Sequence, residues 1–280
     1  MSTSVAIVTG ASSGIGHEAA LCLRAQGVTV YAAARRPMPE LEAAGLHTLA
    51  LDVTDDESLV KAVATVIEEQ GRIDILVNNA GYGSYGAIED VPLDEAKRQF
   101  DVNVFGAMRL VQLVLPHMTA RHRGRIVNIS SMGGRFAMAL GGWYHATKYA
   151  IEALSDALRQ EVRPFGIDVV IVEPGLIRTN WAGIAADHLR ATSGLGKYSA
   201  IAQNFATALE FAGQGFATDP AVIGRVIAQA ALTSHPCTRY RKGAGAWPLT
   251  TLIHVVPDRT FDWGVRLVLE HMPQLMKLLR

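Results

Sequence analysis

The sequence predicts an α/β protein built as a doubly wound parallel sheet, with helices on both faces in a three-layer αβα arrangement. Short apolar, β-branched runs alternate with helical periodicity through the first two-thirds of the chain. A glycine-rich turn, Gly10-Ala11-Ser12-Ser13-Gly14-Ile15-Gly16, directly follows the first apolar run. The 280 residues, 49% of them hydrophobic, suffice for one large domain with a sizeable core.

Composition narrows the function classes. Lys+Arg and Asp+Glu are equal at 26 each, which argues against a nucleic-acid binder working by phosphate neutralisation. The two cysteines, Cys22 and Cys237, lie far apart without a neighbouring Cys or His set. They make neither a metal site nor a disulfide framework, and suit a reducing compartment. The start, M-S-T-S-V-A-I-V-T-G, lacks the basic and apolar regions of a signal peptide. No run approaches the roughly 18 apolar residues of a membrane span. The expectation is a soluble, cytoplasmic protein with no metal, no nucleic acid and no membrane span.

Residues 5–9 form a buried strand bounded by Gly10. The glycine turn then leads into a helix from about His17 to Gln26, ended by Gly27. Across Gly10, Ser12, Ser13, Gly14, Ile15 and Gly16, free backbone N–H groups and the helix dipole point at one spot and make an anion site. The spacing is G-x-x-x-G-x-G, not the G-x-G-x-x-G of the standard dinucleotide fingerprint. A glycine turn without a ligand is the competing reading. Val28 to Ala34 is the second strand, closed by Arg35-Arg36. An acidic residue there would favour NAD by accepting from a ribose 2′-hydroxyl. The arginines, Arg35 first, suit a 2′-phosphate and favour NADP(H) over NAD(H). Solvation of a strand end is their plainer use.

His47 to Leu51 is the third strand, followed by Asp52-Val53-Thr54. Asp52 can accept from an adenine amino group or cap the helix near Ser58. After a helix over Glu57–Gln70 and a strand over Asp74–Val77 comes Asn78-Asn79-Ala80-Gly81. Amides in that position brace strands and line a cofactor cleft. A loop over 83–93 precedes a long helix from about Asp94 to Arg121, which Pro116 should bend or cut short. Asn103 sits inside it among apolar neighbours. It makes either a structural hydrogen bond or a hold on a water in a proton path.

Arg125 to Ile129 is the fifth strand and runs into Ser130-Ser131. A helix from Gly142 to about Pro164 and a sixth strand, Ile167 to Val172, follow, ending in Glu173-Pro174-Gly175. Right-handed crossovers gather the strand C-termini on one edge, and ligands belong there. The alternation then stops. Residues 176–216 read as a flexible substrate lid, weakly helical from Tyr198 to Phe211. Pro220–Leu232 reads as a helix and Thr238–Arg241 as the last strand. Residues 249–280 read as a C-terminal extension of amphipathic helices broken at Pro257 and Pro273. It packs on this protein or on a second subunit, or touches a membrane surface. The whole is one domain, 1–280.

The chemistry concentrates in Y-H-A-T-K. Tyr144 and Lys148 lie four apart and share a helical face. A phenol titrates near ~10, and an ammonium beside it lowers that value toward the working range. Ser131 can hydrogen-bond the same substrate oxygen. Together they suit moving a proton to or from an alcohol or carbonyl oxygen. Taken alone, such a pair is more often incidental.

In order and spacing, T-G-A-S-S-G-I-G (Thr9–Gly16), D-V-T (Asp52–Thr54), N-N-A-G (Asn78–Gly81), Asn103, I-S-S, Y-H-A-T-K and P-G-x-I-x-T (Pro174–Thr179) resemble the short-chain dehydrogenase/reductase family, a Rossmann-type fold. The loop Tyr82–Ala87 and the A-A-R-R strand ending resemble its hydroxysteroid-dehydrogenase-like branch. The resemblance implies a catalytic tetrad. Tyr144 would be general acid or base, Ser131 would polarise the substrate oxygen, and Asn103 would hold a relay water. Lys148 would lower the Tyr144 pKa and bind the nicotinamide ribose. Gly10, Ser13 and Ile15 would lie along the phosphates or adenosine, with Asp52 and Val53 by the adenine. Asn79, with Ala80 and Gly81 after it, would sit near the nicotinamide-side ribose. Ile177 and Thr179, after Pro174 and Gly175, would sit near the carboxamide. Of the two serines, the thirteen-residue offset to the tyrosine picks Ser131. His145, where the family often has a small residue, is expected to face away from the chemistry.

The function expected is an NADP(H)-dependent oxidoreductase interconverting a carbonyl and a secondary alcohol. The competing reading is a non-catalytic dinucleotide-binding redox sensor. Trp181, Tyr198, Phe205, Phe211 and Trp247 suggest an apolar cleft for a steroid-, retinoid- or aryl-ketone-like substrate. The resemblance also implies a homodimer or homotetramer built on the long helices.

Overall fold

The computed structural model describes residues 3–253 and 255–278, with the side chains of 214 and 272–278 left aside. Met1, Ser2, His254, Leu279 and Arg280, which the expected boundaries 1–280 and 249–280 include, lie outside the described residues. The strands are β1 (Val5–Thr9), β2 (Thr29–Ala34), β3 (His47–Ala50), β4 (Ile75–Asn78), β5 (Gly124–Ile129), β6 (Ile167–Pro174) and β7 (Arg239–Lys242). They form one sheet in the order β3-β2-β1-β4-β5-β6-β7, with every neighbouring pair parallel. The order reverses between β1 and β4, so a crevice opens at their C-terminal ends.

Strand alternation decides which helix covers which face. Ala6 and Val8 of β1 pack with α1 (Gly14–Ala25) and α9 (Pro220–Leu232) through Leu23, Ile223 and Ile227. Val5 and Ile7 point the other way, toward α3 (Asp56–Gln70), α5 (Gly106–Ala120) and α6 (Gly142–Val162). A short α2 (Pro39–Ala43) joins β2 to β3. Helices α1 and α9 approach closely because Gly224 has no side chain; a Cβ there would lie 2.7 Å from the Glu18 carbonyl carbon.

Several expectations about helices are corrected. The long helix before β5 is not one α-helix. α4 (Leu93–Phe100) and α5 are joined by a π turn, Asp101–Phe105, that contains Asn103. Pro116 does not cut it short, since α5 runs on to Ala120. Residues 176–216 hold an unexpected helix, α7 (Trp181–Ser193), besides α8 (Ser199–Gly215), which answers the helical pattern over Tyr198–Phe211; the two bury Ala185, Leu189, Ala202, Phe205 and Leu209 in one cluster. The C-terminal extension begins at α10 (Ala246–Leu252), and α11 (Asp258–Leu278) passes through Pro273 unbroken. α11 packs on this protein: Leu269 is buried in the α7–α8 cluster and Val265 lies against it.

Candidate active site

The switch-point crevice is stitched by one threonine. The Thr9 hydroxyl accepts the Asn79 and Ala80 N–H groups, each at 3.0 Å, and donates to the Val77 carbonyl. Asn79 Nδ2 returns to the Thr9 carbonyl at 2.9 Å. Gly10 has room for nothing more; a Cβ on it would stand 2.9 Å from both Ala80 Cα and Asn79 Nδ2, and its φ is +65°. Asn78 braces the sheet instead. It donates to Asn128 at 2.9 Å, and Asn128 in turn donates to Ser155 at 2.8 Å.

The glycine turn suits an anion. Ser13 caps α1 in extended backbone without a side-chain cap bond, and the first turn contains no acidic residue. Its leading N–H groups are therefore left for a ligand. At the outer end, Arg36 Nη2 donates to the Ser12 hydroxyl at 3.1 Å. Arg35 is exposed and acts electrostatically on Asp52. The Asp52 carboxylate accepts from the backbone and hydroxyl of Thr54, and Asp55 caps α3, which corrects the capping role weighed for Asp52. Val53 is buried against Gly106, whose Cβ would strike the Val53 carbonyl.

Strand β5 and helix α6 bring the proton-handling groups together. Ser131 caps a 3₁₀ turn, Met132–Gly134, by accepting the Gly133 N–H at 3.0 Å, and hydrogen-bonds Tyr144. The Ser130 hydroxyl is directed elsewhere, at 2.7 Å from where a Gly134 Cβ would be. Lys148 Nζ donates to the Ile129 carbonyl at 3.0 Å and lies 6.0 Å from the Tyr144 ring centre. Asn103 Oδ1 accepts the Tyr82 N–H at 3.0 Å, while its Nδ2 donates to the Tyr82 carbonyl and Thr147. Asn103 thus makes a structural bond, and its Oδ1 and Lys148 Nζ lie 3.1 and 3.7 Å from where a Gly81 Cβ would be.

Burial sets the electrostatics. It pushes the Tyr144 phenol up to about 12, against the Ser131 hydrogen bond, and the Lys148 ammonium down to about 8, against the charge of Glu152. Burial and the Ser131 hydrogen bond alone set Tyr144 here, and the expected lowering by Lys148 is not among the causes. His145 is a further correction. It lines the cavity, with its ring 5.7 Å from that of Tyr144, but its Nδ1 is engaged with the Gly133 carbonyl at 2.8 Å.

These elements enclose a cavity of about 350 Å³. Gly10, Ser13, Gly14, Ile15, Asn79, Ala80, Gly81, Pro174, Gly175, Ile177 and Thr179 line its polar half, and Ser131, Tyr144 and Lys148 stand at its centre. Ser12, Gly16, Arg35, Asp52, Val53 and Asn103 are not on its wall. The other half is apolar: Tyr85, Phe136, Met138, Trp181, Phe205 and Leu209. Trp181 and Phe205 were expected there. Tyr198, Phe211 and Trp247 are not on the wall; Tyr198 donates to Glu89, Phe211 packs on Phe216, and Trp247 is 66% exposed. Tyr85 lies in the loop Tyr82–Ala87, for which no cleft role was expected, and Phe136 and Met138 had no motif to mark them.

A family model described as short chain dehydrogenase matches residues 4–188. The chain belongs to the short-chain dehydrogenase/reductase family. It is 34% identical over 275 residues to a probable short-chain type dehydrogenase/reductase, VdlC, of Helicobacter pylori, covering 94% of this chain and 97% of that one. A short-chain dehydrogenase from Streptomyces avermitilis superposes with a TM-score of 0.80 at 35% identity, over 99% of this chain and 98% of the other. An actinorhodin polyketide ketoreductase with NADPH gives 0.71 at 30% identity, over 85% and 95%. This chain is an oxidoreductase of the family, whose members bind a nicotinamide dinucleotide. No helix among the described residues is long and apolar enough to cross a membrane.

Proposed function

We propose that this short-chain dehydrogenase/reductase is an NADP(H)-dependent enzyme interconverting a hydrophobic carbonyl and its secondary alcohol. The observation that supports it best is the convergence of Ser131, Tyr144 and Lys148 between a glycine turn suited to phosphates and an apolar chamber. The residues at hand fit the cofactor. The uncapped α1 N-terminus and the close-packed Gly10 would hold its phosphates, Arg35 and Arg36 a 2′-phosphate, and Thr179, across from Gly14, its nicotinamide end. The cofactor supplies or accepts the hydride.

Ser131 orients the substrate oxygen and Tyr144 exchanges a proton with it. With its phenol pushed up to about 12, Tyr144 is protonated at neutral pH and ready to act as the acid of carbonyl reduction. Alcohol oxidation needs the phenolate, which a charged Lys148 favours. Helices α7 and α8 form the substrate lid and exclude water from this pair. Trp181 and Tyr85, with ring centres 5.3 and 5.5 Å from that of Tyr144, favour a flat or bulky apolar substrate of the steroid, retinoid or aryl-ketone kind. Exposed Phe105, Tyr149 and Leu154 on α5's approach and α6 suit a homodimer or homotetramer of a cytoplasmic protein; sedimentation would read the assembly.

The test is the rate of NADPH oxidation with steroid, retinoid, aryl and short-chain carbonyls. Tyr144→Phe is expected to lose roughly 10²–10⁴-fold in turnover while still binding NADPH. Near-wild-type turnover in Tyr144→Phe would remove the proposed role.

A further inference from the structure

Tyr144, Lys148 and Glu152 follow at four-residue intervals on α6, so one helical face presents all three. All three are buried, Glu152 at 5% exposure. A Cβ on Gly134 would meet the Ser130 hydroxyl at 2.7 Å and Glu152 Cγ at 3.0 Å, so Glu152 lies directly beneath the turn that follows Ser131. One carboxylate oxygen accepts from Arg239 Nε at 3.0 Å, and the Ser130 hydroxyl also acts on the carboxylate; burial and the Glu173 charge nonetheless hold the Glu152 carboxyl above its ordinary range.

Arg239 on β7 is shared. It also reaches Asp156 of α6 at 2.7 Å and Glu173 of β6 at 3.2 Å, and Glu173 is held by Arg241 at 2.9 Å. Asp156 has a second partner in Arg159, toward the surface. The charged groups around Glu152 are therefore Lys148 on one side and Arg239, with Glu173 behind it, on the other. The titratable groups acting on Lys148 are Tyr144, whose ring centre is 6.0 Å from its Nζ, and Glu152, and the Ile129 carbonyl is its hydrogen-bond acceptor. A buried lysine with no carboxylate nearby loses its proton readily.

We propose that Glu152 is a positioning residue: its carboxylate keeps Lys148 cationic beneath Tyr144 and anchors that charge to the Arg239–Glu173–Arg241 cluster. Its consequence for turnover rests on the proposed function, but its premise concerns Lys148 alone. Burial lowers Lys148 and Glu152 is the charge that opposes it, which agrees with this geometry.

The test reads Lys148 directly, by NMR of ¹³C-labelled lysine ε-methylene groups across pH in the protein without cofactor, with Lys148→Arg assigning the signal. Glu152→Gln is expected to lower the Lys148 midpoint by about one pH unit. Asp156→Asn removes a charge that shares the same arginine but stands about 12 Å from Lys148 along the helix rather than about 6 Å. It is expected to leave the midpoint in place. An unmoved midpoint in Glu152→Gln, or an equal shift in Asp156→Asn, overturns the proposal. Should Glu152→Gln fail to fold, Glu152→Asp withdraws the carboxylate while keeping the Arg239 pairing charge. A smaller shift of the same sign then supports the proposal, and none overturns it. A shifted midpoint with no turnover even in the wild type would sink the oxidoreductase reading and leave the coupling standing.

Discussion

Replacing Arg35 and Arg36 tests the cofactor preference most sharply, because NADPH and NADH differ only at the 2′-phosphate. Both side chains are exposed, and Arg36 already donates to Ser12 at 3.1 Å at the edge of the glycine turn. A fully protected charge-assisted bond is worth about 1.5–3 kcal/mol, whereas exposed ion pairs give about 0.2–1 kcal/mol. A phosphate dianion held at an exposed rim falls between, at about 1.4 kcal/mol, or about tenfold in Kd. Arg36, aimed at the turn, should give that full factor. Arg35 shares its charge with Asp52 and should give about threefold. The double replacement by alanine should weaken NADPH about thirtyfold, and raised salt should erode the wild-type advantage. NADH binding should stay within about twofold. The assay is quenching of protein fluorescence, or enhancement of nucleotide fluorescence, titrated with each cofactor at fixed ionic strength. Equal losses for NADPH and NADH, or no loss for either, would refute the 2′-phosphate contact.

Two further predictions concern stability. In the folded protein Lys148 titrates at about 8 against 10.5 in the open chain, so the unfolded state binds more protons between those values. Wild-type stability should therefore rise with pH across that window, and the advantage of Lys148→Met at pH 7 should shrink by about 3 kcal/mol by pH 10.5 in urea unfolding. Tyr144, raised to about 12, pulls the other way above pH 10, but both proteins contain it and it cancels in the difference. An advantage that does not change with pH would contradict the buried lysine. The second contrast uses glycines. A Cβ at Gly16 would sit 2.4 Å from Asn79 Nδ2 and 2.5 Å from the Gly10 carbonyl, so Gly16→Ala should cost about 1–3 kcal/mol and weaken cofactor binding. Gly183 in α7 has nothing within 4 Å, and Gly183→Ala should raise stability by about 0.5–1 kcal/mol. Thermal melts of the two variants should move in opposite directions.

The parts of the fold that were legible are those whose signals are local. Strand β1 and helix α9 begin and end where expected because each is bounded by a residue with a backbone preference, Gly10 after one and Pro220 at the start of the other. The π turn was not legible. Nothing in D-V-N-V-F distinguishes an i→i+5 register from an α-helical one, and it is the position of Tyr82 on Asn103 that the register serves. Helix α7 was hidden by small residues and Gly183. It forms because Ala185, Ala186 and Leu189 find Ala202, Phe205 and Ala206 on α8, a gain of tertiary packing over weak propensity. Similarly, the cofactor half of the cavity is written in contiguous motifs, while its apolar half is assembled from the 82–91 loop, the 132–141 segment, α7 and α8, which no single window contains.

Helix α6 shows why the site depends on distant charges. Burial moves a phenol up and an ammonium down, so an apolar wall alone would leave Tyr144 protonated and Lys148 neutral, a pair with no means of favouring the phenolate. Water cannot restore the charge, because Lys148 is only 8% exposed. What remains is a counter-charge on the same helical face, and Glu152 is the residue at that spacing. A lone buried carboxylate would itself pick up a proton. Arg239 opposes this from β7, at the far edge of the sheet, although burial and the Glu173 charge still hold the Glu152 carboxyl above its ordinary range; Glu173, fully buried, fixes Arg239 and Arg241 in turn. The last strand, R-Y-R-K, is half-exposed and short. Its two arginines nonetheless complete a line of alternating charge, Arg241–Glu173–Arg239–Glu152–Lys148, that ends at the tyrosine.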